Sequence, residues 1–145
     1  MWLKVKNRFP VAVAKFWCSL AYDATTNRLF VVQRDRESIG VMDATTGAVI
    51  THFSAILSVG DIYFDPASRE VYVTCEQGHL DVYREAGTKY TNGSGVPAEV
   101  GVSVFAFDPR TRKLFLPLVE LKCSDPNCSL PLVPKPGSSV VIVIA

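Results

Sequence analysis

Phe64-Asp65-Pro66-Ala67-Ser68-Arg69-Glu70-Val71-Tyr72-Val73-Thr74-Cys75 is one of three versions of a single phrase. The earlier version is Tyr22-Asp23-Ala24-Thr25-Thr26-Asn27-Arg28-Leu29-Phe30-Val31-Val32, and the later one is Phe107-Asp108-Pro109-Arg110-Thr111-Arg112-Lys113-Leu114-Phe115-Leu116. The aspartates Asp23, Asp65 and Asp108 stand 42 and 43 residues apart, and the aromatics Phe30, Tyr72 and Phe115 keep the same intervals. A fixed period of this size is the signature of a solenoid or propeller.

Outward from the phrase, each unit reads as short β-branched or aromatic runs separated by turn chemistry. The first unit predicts strands at Cys18–Tyr22, Leu29–Gln33, Ser38–Met42 and Ala48–Phe53, a blade over 18–53. The second predicts Asp61–Phe64, Val71–Cys75, His79–Arg84 and a weak outer strand at Lys89–Thr91, a blade over 61–91, with Thr91–Gly95 opening a flexible connector. The third predicts Ser103–Phe107, Leu114–Leu118 and Ser139–Ile144, a last blade over 103–145. Asp at a turn start bonds its own backbone two residues on, which gives the Asp-x-x-Thr turns a structural reading. The stretch 119–138 holds Pro126, Pro131, Pro134 and Pro136. Proline lacks the N–H that a ladder needs, so this stretch reads as an insertion between strands.

Lys4–Phe9 aligns by residue type with Ala48–Phe53 and reads as one more outer strand, over 4–9. The expectation is an all-β chain, a partial β-propeller of about three four-stranded antiparallel blades in a single domain over 1–145. Closed propellers have about four to eight blades. Three blades leave two apolar faces unsatisfied, so closing the ring needs self-association or missing blades.

Composition removes several function classes. With 15 basic and 14 acidic residues in 145, the chain has no charged field calling for nucleic acid or anionic lipid. Val11-Ala12-Val13-Ala14 is too short to span a bilayer, and no cleavage site for a signal peptide follows it. Of the four cysteines, Cys18 and Cys75 read as small buried hydrophobes. Cys123 and Cys128 flank a turn, Ser124-Asp125-Pro126-Asn127, and read either as a local disulfide of an oxidising compartment or as two free thiols. Zinc is a poor reading for them, for want of further ligands.

The phrase aromatic-Asp-Pro-x-x-x-Arg-x-aromatic-Val, with Tyr72-Val73-Thr74-Cys75 at its end, resembles the YVTN-type β-propeller repeats. The last unit, from Gly101 through Pro117 and the proline-rich insertion to Val143, looks like the carboxyl-terminal blade of bacterial YncE-like members. The resemblance implies an exported, periplasmic or secreted full-length protein, with binding or scaffolding roles in preference to catalysis. No cofactor is expected.

Function on such a frame belongs to loops on one face. The candidates there are Phe16 and Trp17 as a stacking platform or blade packing, and Arg34 and Arg36 as an anion site or a solvated hairpin tip. Asp61, Glu76 and Glu99 could direct carboxylates toward the channel. His52 and His79 read as surface or packing residues. The reading is a non-catalytic module binding a protein, peptide or glycan. The alternatives are a calcium-dependent lactonase-like enzyme, in which those three carboxylates would serve, and a half-propeller that homodimerises into a six-bladed ring.

Overall fold

The computed structural model describes residues 4–9, 17–33, 37–55, 58–127, 129 and 131–145, and among them finds strands and turns but no helix. Strands β1 (Trp17–Asp23), β2 (Arg28–Gln33), β3 (Ser38–Asp43) and β4 (Val49–Ser54) form the first sheet, in chain order. A second sheet of the same plan contains β5 (Val59–Asp65), β6 (Glu70–Cys75), β7 (His79–Ala86) and β8 (Lys89–Pro97). The third holds β9 (Ala106–Asp108), β10 (Lys113–Leu118) and β13 (Val140–Ile144), in the order β13-β10-β9. Every pairing is antiparallel. These are three blades of a β-propeller.

The β-branched and aromatic residues of the repeat account for the packing. Phe30, Val32, Ile39, Val41 and Phe53 of the first blade share one core with Phe64, Val71, Val73, Tyr83 and Tyr90 of the second. Phe30 stacks on Phe64 with 5.0 Å between ring centroids, and Tyr72 stacks on Phe107 of the third blade at 5.1 Å. Burying each such ring contributes about 1.5–3 kcal/mol. Leu80, Val102, Leu114 and Leu116 complete the second core. At Gly60 an added Cβ would lie 2.3 Å from the Ser103 carbonyl oxygen, so the approach of the second blade to the chain entering the third requires glycine.

The turn after each first strand is built identically. Asp23, Asp65 and Asp108 accept the N–H two residues on at 2.9, 3.0 and 3.0 Å. Their other oxygens take the hydroxyls of Thr26, Ser68 and Thr111. Four residues past each aspartate the backbone is left-handed, with φ of 56° at Asn27, 58° at Arg69 and 57° at Arg112. Asn tolerates that region and arginine seldom adopts it. Both arginines use it to reach the preceding blade: Arg69 Nη1 lies 2.8 Å from Asp23, and Arg112 Nη1 lies 2.9 Å from Asp65.

Four expectations need correction. Residues 4–9 form no strand: 4–8 are exposed, and the Phe9 ring fills the space a side chain at Gly47 would take, on the first blade's hairpin turn. The weak strand at Lys89–Thr91 is instead nine residues long, because the supposed connector continues it. Its glycines serve the ladder: Gly93 is the extra residue of a bulge between Val82 and Tyr83, and Gly95 leaves room for Asp81, whose carboxylate lies 3.2 Å from where a Cβ would stand. The strand expected at Ser103–Phe107 is reduced to Ala106–Asp108, because the Ser103 carbonyl accepts from the Thr74 hydroxyl and the Phe105 N–H donates to Asp61. The insertion carries a ladder of its own, β11 (Leu121–Lys122) with β12 (Val133–Pro134). Two residues a side keep Pro134 out of any interior strand.

Candidate functional site

Among the described residues, the carboxylates singled out from sequence do not form a metal-holding group. Phe16, Arg34 and Arg36 lie outside the described residues. The backbone of Trp17 opens β1 opposite Gln33. Asp61 is a strut between blades: it accepts from the Ser19 hydroxyl of the first blade, from the Ile62 N–H at 2.9 Å and from the Phe105 N–H at 3.4 Å. Glu76 joins two loops through its backbone, donating to Ser58 at 3.0 Å and accepting from Gly101 at 2.9 Å. Glu99 is exposed. Among the described residues no group of three or more His, Cys, Asp and Glu is arranged to hold a metal ion. Cys123 is disulfide-bonded, and Cys128 lies outside the described residues.

What the fold does build at the expected loop face is a groove on the third blade. One end, about 570 Å³, runs from Gly101 and Ser103 past Pro117 and Leu118 to Val140 and Val141. The other, about 360 Å³, continues from Leu118 and Val140 to Ile142, with Glu99, Glu120 and Lys135 among its walls. The neck of the insertion fixes its shape. Glu120 N–H donates to the Ser138 hydroxyl at 3.1 Å, Lys135 N–H donates to the Glu120 carbonyl at 2.8 Å, and Lys135 Nζ pairs with the Glu120 carboxylate at 2.6 Å. That ion pair is exposed and contributes at most about 1 kcal/mol. The backbone bonds hold the loop.

Beside the groove, β13 is the last strand of its sheet, and among the described residues no strand pairs with its outer side. An apolar floor next to an open strand edge suits an extended peptide, which adds its backbone to the ladder and seats alternate side chains.

The buried ionisable groups look structural. Cys75 is fully buried with its sulfur 3.8 Å from Asp81, and burial together with that carboxylate pushes its thiol up to about 12. Burial also raises the Asp81 carboxyl, against opposing contributions from His79, Cys75 and Tyr83. Tyr72 is pushed up to about 12 by burial and by Glu70, which accepts its hydroxyl at 2.9 Å. At Asp23 burial acts to raise the carboxyl, but bonds from Thr26, Thr25 and Arg69 hold it below its ordinary value.

Arg69 and Arg112 were missed as functional elements of the frame, although their recurrence four residues after an aspartate was in plain view. A single copy of the phrase does not reveal that each arginine answers the aspartate one period earlier.

No family model matches the chain. A comparison with curated proteins found no match either. Solved structures do match. A proposed 6-phosphogluconolactonase from Bacteroides fragilis aligns with a TM-score of 0.65 and 12% identity, over 94% of this chain and 44% of that one. The chain is a β-propeller segment. A chain of a mitotic checkpoint complex aligns at 0.62 and 22%, over 68% of this segment and 32% of that protein. A luciferin-regenerating enzyme aligns at 0.62 and 14%, over 91% of the segment and 46% of the enzyme. The segment spans less than half of each, and these neighbours include both a binding assembly and enzymes.

Proposed function

We propose that this propeller segment is a non-catalytic binding module, that its partner is a protein, and that it takes an extended peptide of that partner along the groove of the third blade. The observation that carries the reading is the apolar floor of Leu118, Val140 and Ile142 lying against the open edge of β13. The likeness to a chain of a mitotic checkpoint complex supports a protein partner. Within propellers we place the chain with the YVTN-type, YncE-like repeats, on the recurrence of its phrase, and in that setting with exported proteins. A calcium-dependent lactonase has less support, because Asp61, Glu76 and Glu99 do not gather.

Selection of a random twelve-residue peptide library on the chain, with counter-selection on Leu118→Asp and Val140→Asp, tests the reading. We expect apolar, β-prone sequences that bind the wild type and neither variant. Failure to enrich any sequence, or binding that both variants retain, would sink it.

A further inference from the structure

The turn after each first strand is both a socket and a plug. Asp23 and Asp65 receive Arg69 and Arg112 of the following blade, and their side chains are 0% and 2% exposed. Asp108 has the same turn around it, yet its side chain is 27% exposed, and the ion pair it makes is a long one, 3.8 Å, with the exposed Arg110 of its own turn. The aromatic stacks have the same phase. Phe30 and Tyr72 are covered by Phe64 and Phe107, the rings that precede the next blade's aspartate. Phe115 stands one period on and is 36% exposed, next to Val141 at 61% and Val143 at 51%. The register sets Phe115 opposite Val143 and Pro117 opposite Val141, so the four share one face of the sheet.

We propose that this face is the seat of a further propeller blade, outside these 145 residues, whose sequence carries aromatic-Asp-x-x-x-Arg. Its arginine enters the Asp108 socket and its aromatic ring covers Phe115. The seat continues two interfaces already built in the chain, and its charge is complementary to the plug. Lys113, opposite Asp108, is no obstacle. Arg28 stands opposite Asp23 in the same way, turns to Glu85 of the next blade at 2.6 Å, and leaves Arg69 free to dock.

A second copy of this chain makes a poorer plug. Its first blade offers the exposed Tyr22 but has Asn27 where the arginine belongs, and Asn27 is held by Tyr22 at 3.0 Å and by Thr45 at 2.7 Å. Asp108 and Phe115, which carry the inference, do not line the groove, and the seat meets the groove at Pro117 and Val141.

Asn27→Arg converts the first blade into the missing plug, so the chain itself is the probe. Light scattering over a dilution series compares the wild type, Asn27→Arg, and Asn27→Arg with Asp108→Asn, with melting curves checking that each is folded. Asn27→Lys replaces the arginine variant if that one fails to fold. The expected result is head-to-tail association of the charged variant at a concentration at least about tenfold below that of the wild type, reversed by Asp108→Asn. No gain over the wild type, or a gain that survives Asp108→Asn, overturns the proposal. Wild-type association that Asp108→Asn abolishes would make a second copy the occupant and overturn it equally.

Discussion

Arg69 leaves a left-handed turn of the second blade and sets its Nη1 2.8 Å from the Oδ2 of Asp23, a carboxylate of the first blade with no exposed surface. The same guanidinium lies over the Phe64 ring at 4.7 Å and bonds Glu85 through Nε at 2.7 Å. One side chain thus joins the turn, the stack and the neighbouring sheet. Arg69→Met should lower stability by about 2 kcal/mol, because a buried carboxylate loses its cation. Arg112→Met should lower it less, by about 1 kcal/mol, since that side chain is 49% exposed against 30% for Arg69 and its pairing is better screened. Urea titrations of the two variants check the order.

The aromatic positions of the repeat should differ sharply in cost. Phe30 is wholly buried between Phe64 and Tyr90, and Phe30→Ala should cost about 3–5 kcal/mol. Phe115→Ala, at the same place one blade on, should cost less than about 1 kcal/mol because its ring is 36% exposed. Equal losses on denaturation would contradict the phase of the stacks.

Asp81 gives stability a dependence on pH of a definite sign. Burial raises its folded carboxyl above the unfolded value of 3.8, so the folded chain holds the proton longer and stability falls as pH rises through that window. Asp23 acts the other way. Its carboxyl is lowered, so its stabilisation is present above 3.8 and is lost as pH falls through the folded value. Asp81→Asn should therefore raise the melting temperature at neutral pH and leave the loss on acidification in place. A variant whose melting profile merely parallels the wild type between about pH 3 and pH 8 would show that Asp81 does not titrate as argued.

Cys75 should be inert in the native protein. Its thiol is buried and pushed up to about 12, first by burial and then by Asp81, so almost no thiolate exists at neutral pH. Peptide mapping after treatment with a thiol reagent should find Cys75 modified only at the rate of unfolding. Rapid labelling without denaturant would place the residue somewhere other than the blade interior.

Much of the fold was legible because a propeller writes itself periodically. The aspartate turns and the strands after them follow from local chemistry, and the interval of 42 or 43 residues states that the same unit is stacked again. The failures have physical causes. Lys4–Phe9 has the residue types of a strand, but a strand exists only with a partner, and Phe9 packs on the Gly47 turn instead. Gly93 and Gly95 look like a linker, whereas one is a bulge and the other makes room for a buried acid.

The groove was not legible because its walls meet across the insertion. Glu120, Lys135 and Ser138 lie 15 and 18 residues apart in sequence, and no local pattern announces their bonds. Glu99 was singled out from sequence and does line the groove. Asp61 was also singled out, and its bonds to Ser19 and Phe105 make it a strut.

The central claim is that each blade is locked to the one before it by an arginine answering an aspartate one period earlier. A double-mutant cycle on Asp23→Asn and Arg69→Met, read by urea denaturation, tests it most directly. The asparagine keeps an oxygen for the Thr25 N–H, so the cycle isolates the interblade pair. The account predicts a coupling of about 1–3 kcal/mol. Additivity to within about 0.3 kcal/mol would mean that the two residues do not feel each other and that the arginine does not lock the blades, which would then be held by their apolar faces and by bonds such as that of Arg28 to Glu85.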